Sequence, residues 1–119
     1  FRAVCENPAD DLPRLVYADW LEENGDPERA AFIRFQCEFP GFKSDHPAFA
    51  ELLDRERRFD PFRAGWQNSL PKLPGVRWQL NWFDRGFPNW VRFDSGRAFV
   101  ARAEEVFAAG PVNMVEVGR

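Results

Sequence analysis

The hydrophobic period changes once along the chain, and this change constrains the fold more than any other feature. Up to residue 69 apolar residues recur at the spacing of three and four that is typical of amphipathic helices. The proline-rich segment at residues 70–75 is predicted as a connector. From residue 76 apolar and polar residues alternate, which predicts half-buried strands. We therefore expect an α+β chain with its helices first.

The helical part, residues 1–69, is divided by proline, glycine and capping residues. Asn24-Gly25 ends one predicted helix and Asp26-Pro27 begins the next, so these two helices should form an αα-hairpin. A third, amphipathic helix is predicted after the capping segment Ser44-Asp45-His46-Pro47. The residues Phe1–Glu6 resemble the last turns of a helix, so we expect the sequence to be part of a longer chain.

The β part, residues 76–119, is predicted in the order strand, strand, helix, strand. Asp84-Arg85-Gly86 should form a tight reversal between strands at 76–82 and 87–93, which makes a β-hairpin. The helix that follows should end at Gly110-Pro111. Residues 112–117 alternate again and should form a last strand with an uncovered edge. We expect the helical layer to pack on this small sheet within one domain, residues 1–119.

Composition and charge exclude several classes of protein. Of the 119 residues 45% are hydrophobic and 29% are charged, which are values of globular domains. No apolar run approaches the about 20 residues of a membrane-spanning helix. The net charge of −3 lacks the positive excess of most nucleic-acid-binding proteins. Cys5 and Cys37 have no metal-binding spacing, so we expect reduced cysteines, a cytoplasmic location and no cofactor.

The most strongly patterned stretch lies in the predicted αα-hairpin. From Asp11 to Gln36 the chain reads DLPRLVYADWLEENGDPERAAFIRFQ. It resembles the opening of the bacterial repeat-companion domain, which reads approximately D-x-P-R-L-V-Y-A-D-W-L-E-E-x-G-D-P-x-R-A-x-F-I-R-x-Q. Arg85-Gly86-Phe87 and Pro111 resemble later elements of that family. The resemblance implies a module that accompanies leucine-rich-type and other repeats, has no assigned reaction and leads into the first repeat after residues 112–117.

Asp19 is the sharpest candidate for chemistry, because it is a carboxylate set among apolar residues of the patterned stretch. The structural interpretation pairs Asp19 with Arg14 or Arg34 across the αα-hairpin and so fixes the angle between the helices. The functional alternative makes Asp19 and a nearby glutamate an acid/base pair in a pocket. We favour the structural interpretation, since His46 is the only histidine and no nucleophile, metal site or phosphate loop accompanies Asp19.

A run of arginines is the best candidate for binding nucleic acid. It consists of Arg55, Arg57, Arg58 and Arg63. Arginines bind phosphates, and the interleaved aromatic residues could stack on bases. Acidic residues are interspersed in the same run, which favours a solvated helix face.

The β part supplies candidates for a protein interface. Trp78, Trp82 and Trp90 either form the core side of the sheet or an exposed platform for a peptide or a partner strand. Val115 lies in the last strand, whose edge is predicted to be open.

The sequence as a whole favours a non-catalytic interaction module. We expect it to cap or accompany a repeat array, in the same chain or in a partner protein, with self-association through the last strand as another possibility. Binding of nucleic acid through the arginine run is the first alternative. A small-ligand or hydrolytic domain centred on Asp19 is the second. No membrane partner and no catalytic residue is predicted.

Overall fold

Helices occupy the first part of the chain and a small sheet the last, as the change of hydrophobic period predicts. A computed structural model describes residues 1–80 and 83–118, and the α+β prediction is confirmed within them. The helices are α1 (Arg2–Glu6), α2 (Asp11–Glu23), α3 (Pro27–Glu38), α4 (Phe49–Arg57), α5 (Asp60–Asn68) and α6 (Gly96–Ala109). The strands are β1 (Val76–Trp78), β2 (Trp90–Phe93) and β3 (Met114–Val117).

The αα-hairpin of α2 and α3 forms as its capping residues predict. The side chain of Asp10 accepts a hydrogen bond from the Leu12 amide at the start of α2. Gly25 takes a φ of +93° in the turn, a conformation that glycine adopts without strain. The side chain of Asp26 then accepts from the Arg29 amide, and Pro27 opens α3.

The first hydrophobic core lies between this hairpin and the segment 83–87. Ala18 and Leu21 of α2 pack with Ala30 and Ile33 of α3, and Phe87 closes the same cluster. The amide of Gly86 donates to the Gln36 side chain at 2.7 Å. The helical layer therefore contacts the β part through this segment.

The sheet has the strand order β1-β2-β3 and is mixed. β1 and β2 are antiparallel, whereas β2 and β3 are parallel and are joined through α6. The second hydrophobic core lies between the sheet and α6, where Val91 and Phe93 of β2 pack with Val106 of α6. Ser95 caps α6 by accepting from the Ala98 amide.

The predicted β-hairpin is shorter than expected. β1 ends at Trp78 and β2 begins at Trp90, so the two strands flank a long connection. The reversal at 84–86 forms within that connection, where Asp84 and Phe87 make an isolated bridge. The carbonyls of Asp84 and Arg85 bind the guanidinium of Arg14 on α2, which holds the reversal against the helices and outside the sheet.

Two other element boundaries differ from the prediction. α4 begins at Phe49 and has no side-chain cap, because its N-cap residue is Ala48, whose side chain cannot accept a hydrogen bond. In the preceding turn the Nδ1 of His46 accepts from the Ala48 amide. β3 begins at Met114 rather than at residue 112, because Val112 is buried in the core beside α6 before the strand starts.

Candidate functional site

The outer edge of β3 has no partner strand among the residues that the structure describes. Met114 N donates to Asn89 O at 3.1 Å and Gly118 N donates to Phe93 O at 2.8 Å. Amides at alternate positions of β3 therefore point towards β2, and those of Val115 and Val117 point outwards. The side chains of Val115 and Val117 are also exposed, at 39% and 47%. The edge thus offers unpaired backbone donors together with apolar side chains.

β2, α6 and β3 form a parallel strand-helix-strand unit that ends at this open edge. Trp90 lies opposite Met114 and Phe93 lies opposite Val117. Paired positions in the two strands are 24 residues apart, as in the Asn89–Asn113 and Arg92–Glu116 pairs. Units of 20 to 29 residues, each with one strand, are typical of leucine-rich repeats.

Two side-chain pairs follow the same spacing across β2 and β3. Asn89 Nδ2 donates to Asn113 Oδ1 at 2.9 Å, and the Asn89 carbonyl accepts from the Asn113 amide at 3.0 Å. Arg92 Nη1 donates to Glu116 Oε2 at 3.1 Å. Asn89 is buried, whereas Asn113 is exposed beside the open edge. If a further strand were added at this spacing, the residue before it would lie beside Asn113 in the way that Asn113 lies beside Asn89.

The predicted tryptophan platform is only partly present. Trp78 packs against the second core, so it belongs to the core side of the sheet and is unsuited to an exposed platform. Trp90 is half-buried and lies opposite Met114, next to the open strand. Trp82 lies outside the described residues. Val115 is exposed at the outer edge of β3, so its side chain is accessible to a partner.

Arg34 is the residue that joins Asp19 to the αα-hairpin. Arg34 Nη2 lies 2.7 Å from Asp19 Oδ1 and 2.7 Å from Glu22 Oε2. These hydrogen bonds raise the pKa of Arg34. The Asp19 side chain is 70% exposed, so the apolar surroundings that its sequence neighbours suggest do not form around it. An exposed pair of this kind contributes about 1 kcal/mol or less to stability.

Arg14 does not contact Asp19 and has a different structural role. Its side chain is fully buried, and it donates to the carbonyl oxygens of Asp84 at 2.6 Å and Pro8 at 2.7 Å. Burial lowers the pKa of Arg14. Its neighbour Arg85 binds the carboxylates of Asp84 and Asp11, and these hydrogen bonds raise the pKa of Arg85. The guanidinium of Arg14 therefore joins α2 to the 84–86 turn, a contact that no short-range sequence signal indicates.

The predicted arginine face is divided among separate contacts. Arg63 pairs with Glu56 and Asp60, and Arg58 pairs with Asp54. Arg55 stacks on Phe35 at 4.9 Å and on Phe39 at 5.3 Å. Arg57 is exposed at the end of α4. Neighbouring carboxylates neutralise much of the positive charge that a phosphate backbone would require.

Arg29 is a half-buried arginine that the sequence reasoning missed. It lines a partly open cavity of about 540 Å³, to which α2, α3, α5, the segments 69–71 and 87–88 and the end of α6 also contribute residues. Its Nε and Nη2 both donate to the carbonyl oxygen of Gly86, at 3.2 and 2.9 Å. Its presence beside Asp26-Pro27 in the patterned stretch was the only available signal.

The described part of the chain contains neither a cluster of metal ligands nor a helix that could cross a membrane. Residues 1–80 and 83–118 contain no group of three or more His, Cys, Asp or Glu side chains placed to hold a metal ion. None of the helices in these ranges has the length and hydrophobicity needed to cross a bilayer. Cys5 and Cys37 are free, half-buried thiols.

Comparison with known proteins gives no family assignment. No family model, curated protein or solved structure matches the chain. The interpretation of the β3 edge therefore depends on its geometry.

Proposed function

We propose that this chain is a non-catalytic interaction module whose β3 edge receives the first strand of a repeat array. The observation that carries the proposal is the parallel β2–α6–β3 unit, which ends at an edge without a partner strand in the described residues. Its spacing of 24 residues lies within the range of leucine-rich repeats. The module would cap the array by covering the apolar end of its first repeat.

The chemistry of the edge supports a strand as the partner. The outward amides of Val115 and Val117 would donate to the carbonyls of an added parallel strand. The side chains of both residues would lose water on pairing, which favours association. Asn113 would offer its side-chain amide to the residue that precedes the added strand, as Asn89 offers its own to Asn113.

The resemblance of residues 11–36 to the bacterial repeat-companion domain agrees with this role. That family accompanies repeats and has no assigned reaction. Free thiols at Cys5 and Cys37 suit a reducing compartment, so the proposal includes a bacterial, cytoplasmic protein.

The experiment is a fusion in which consensus leucine-rich repeats follow residue 119 so that the next strand continues the 24-residue spacing. If β3 is the docking edge, this fusion should unfold in one transition, because module and array share a continuous sheet. A matched fusion with a flexible linker of about 20 residues before the array should unfold in two. Two transitions in both fusions would contradict the proposal.

A proline at position 115 separates docking from folding. The Val115 amide points away from β2, so Val115→Pro should be tolerated by the isolated module, as proline is at an edge strand. In the in-register fusion the same substitution should restore two transitions. The control is Val100→Thr, which changes an exposed side chain of α6 and leaves the β3 backbone unaltered, so it should not affect the number of transitions.

A further inference from the structure

The cavity beside Arg29 is a feature that the proposed function does not use. Its volume of about 540 Å³ lies within the range of small-molecule sites. Tyr17, Asp26, Arg29, Trp66 and Phe87 are among the residues that line it. None of the residues of β3 takes part, so the cavity is separate from the docking edge.

Arg29, which lines this cavity, has an unused pair of parallel donors. Its Nε and Nη2 share one acceptor, the Gly86 carbonyl, which occupies one edge of the guanidinium. The other edge consists of one N–H of Nη1 and the second N–H of Nη2, and neither has an acceptor among the described residues. Two parallel N–H groups of this kind match the two oxygens of a carboxylate.

The charge of Arg29 lacks an ion-pair partner in the described part of the chain. No carboxylate oxygen lies within the 4.0 Å of an ion pair, even though Asp26 lines the same cavity. Asp26 instead caps α3 by accepting from the Arg29 amide at 3.2 Å. Burial lowers the pKa of the Arg29 guanidinium to about 10, so it stays protonated at neutral pH.

Aromatic rings hold the guanidinium in place. The Arg29 Cζ lies 4.9 Å from the centre of the Trp66 ring and 5.1 Å from the centre of the Phe87 ring. These contacts fix the orientation of the donors and provide an apolar wall. The Tyr17 hydroxyl makes no hydrogen bond with the described residues, and burial raises its pKa, so it remains a donor.

We propose that this cavity binds a small organic carboxylate, with the carboxylate on the free edge of Arg29 and an apolar body against Trp66. A monoanion fits better than a dianion such as phosphate, because Asp26 on the same wall offsets part of the positive charge. The planar pair of carboxylate oxygens also matches the fork of donors.

The test is a titration of the isotope-labelled protein followed by the indole N–H signals of its tryptophans. The probes are benzoate and hexanoate, with benzamide as the neutral analogue of benzoate and inorganic phosphate as the competing anion. Benzoate or hexanoate should shift the Trp66 signal in a saturable way and leave unchanged that of Trp90, which lies in β2 and does not line the cavity. Benzamide should bind about tenfold more weakly, because it carries no charge for Arg29.

Two variants tie binding to the proposed donors. Arg29→Lys keeps the charge but loses the fork and should weaken benzoate binding about tenfold. Tyr17→Phe keeps the ring and removes the hydroxyl, and it should weaken binding about threefold even if Arg29→Lys fails to fold. The exposed Arg97→Lys is the matched control and should bind like the parent.

Three results would overturn the proposal. The first is no saturable shift at Trp66 with either carboxylate up to about 10 mM. The second is equal binding of benzoate and benzamide. The third is binding of phosphate in preference to both carboxylates. None of these results involves β3. The proposal of an interaction module is therefore tested only by the fusion experiment.

Discussion

Asn89 and Asn113 lie 24 positions apart and bind each other side chain to side chain at 2.9 Å, with Asn89 as the donor. The two residues precede β2 and β3 respectively, so they occupy equivalent places in successive strands. Asn89 is buried against the sheet, whereas Asn113 is exposed at the edge. Asn89 thus has its counterpart in the next strand, whereas Asn113 lies where the counterpart in a further strand would be placed.

Replacing Asn89 should destabilise the sheet. Asn89→Ala leaves the Asn113 side chain without its donor and opens a buried space, so we expect the free energy of unfolding to fall by about 2 kcal/mol. Urea unfolding followed by circular dichroism measures the change. Asn68→Ala, at an exposed position in α5, should change stability by less than about 0.5 kcal/mol. Equal effects of the two substitutions would contradict the structural role of Asn89.

Arg14 should be the most costly arginine to replace. Arg14→Lys cannot reach the carbonyls of both Asp84 and Pro8, so the buried charge keeps fewer partners and one half-buried carbonyl loses its donor. We expect a loss of about 3 kcal/mol in urea unfolding. Arg2→Lys, whose side chain is 91% exposed, serves as the control and should be neutral within about 0.5 kcal/mol. A loss below about 1 kcal/mol for Arg14→Lys would mean that the turn at 84–86 holds without this contact.

A side chain at position 86 should disrupt the contact between the turn and α3. Gly86 has a φ of +93°, and a Cβ there would lie only 3.0 Å from Ile33 Cα. Gly86→Ala should therefore lower the melting temperature more than Gly41→Ala, since Gly41 also has a positive φ of +58° but no neighbour within 4 Å. The comparison separates steric overlap from backbone strain. If the two substitutions lower the melting temperature equally, Gly86 is required only for its backbone conformation.

Stability should fall at alkaline pH because of the half-buried thiols. Burial raises the pKa of Cys37 from 9.0 to about 11, and burial also raises that of Cys5. The unfolded chain therefore loses these protons first, and folding becomes less favourable as pH rises above 9.0. Above pH 10 the lowered pKa of Arg29 acts in the opposite direction, so the informative range lies between 9 and 10.

Urea midpoints at several pH values within that range provide the measurement. The Cys37→Ala variant should show a smaller decrease than the parent, because the thiol with the higher folded pKa is gone. A decrease of the same size in the variant would assign the pH dependence to other groups.

Local sequence signals predicted the parts of the fold that local contacts determine. Asp26 and Pro27 begin α3 as predicted, because capping acts within one helical turn. The strand at 76–82 was predicted too long, because the turn that follows it is bound by Arg14, about 70 residues earlier in the chain.

For the candidate site, too, the sequence predicted what local contacts determine and missed what contacts between distant segments determine. The alternation of residues 112–117 indicated a strand, which forms as β3 over the shorter range Met114–Val117, and Val115 is exposed there. The parallel pairing of β3 with β2 and the place of Arg29 beside the cavity depend on contacts between distant segments. Hydrophobic period and capping residues carry no information about such contacts.

Amide hydrogen exchange across β3 tests the central claim most directly. In the isolated chain the amides of Met114 and Gly118, which bind β2, should exchange slowly, whereas those of Val115 and Val117 should exchange fast. In the in-register fusion with leucine-rich repeats, Val115 and Val117 should become about 100-fold slower as the edge acquires a strand. Slow exchange of both valines in the isolated monomer, or fast exchange of both in the fusion, would contradict the account.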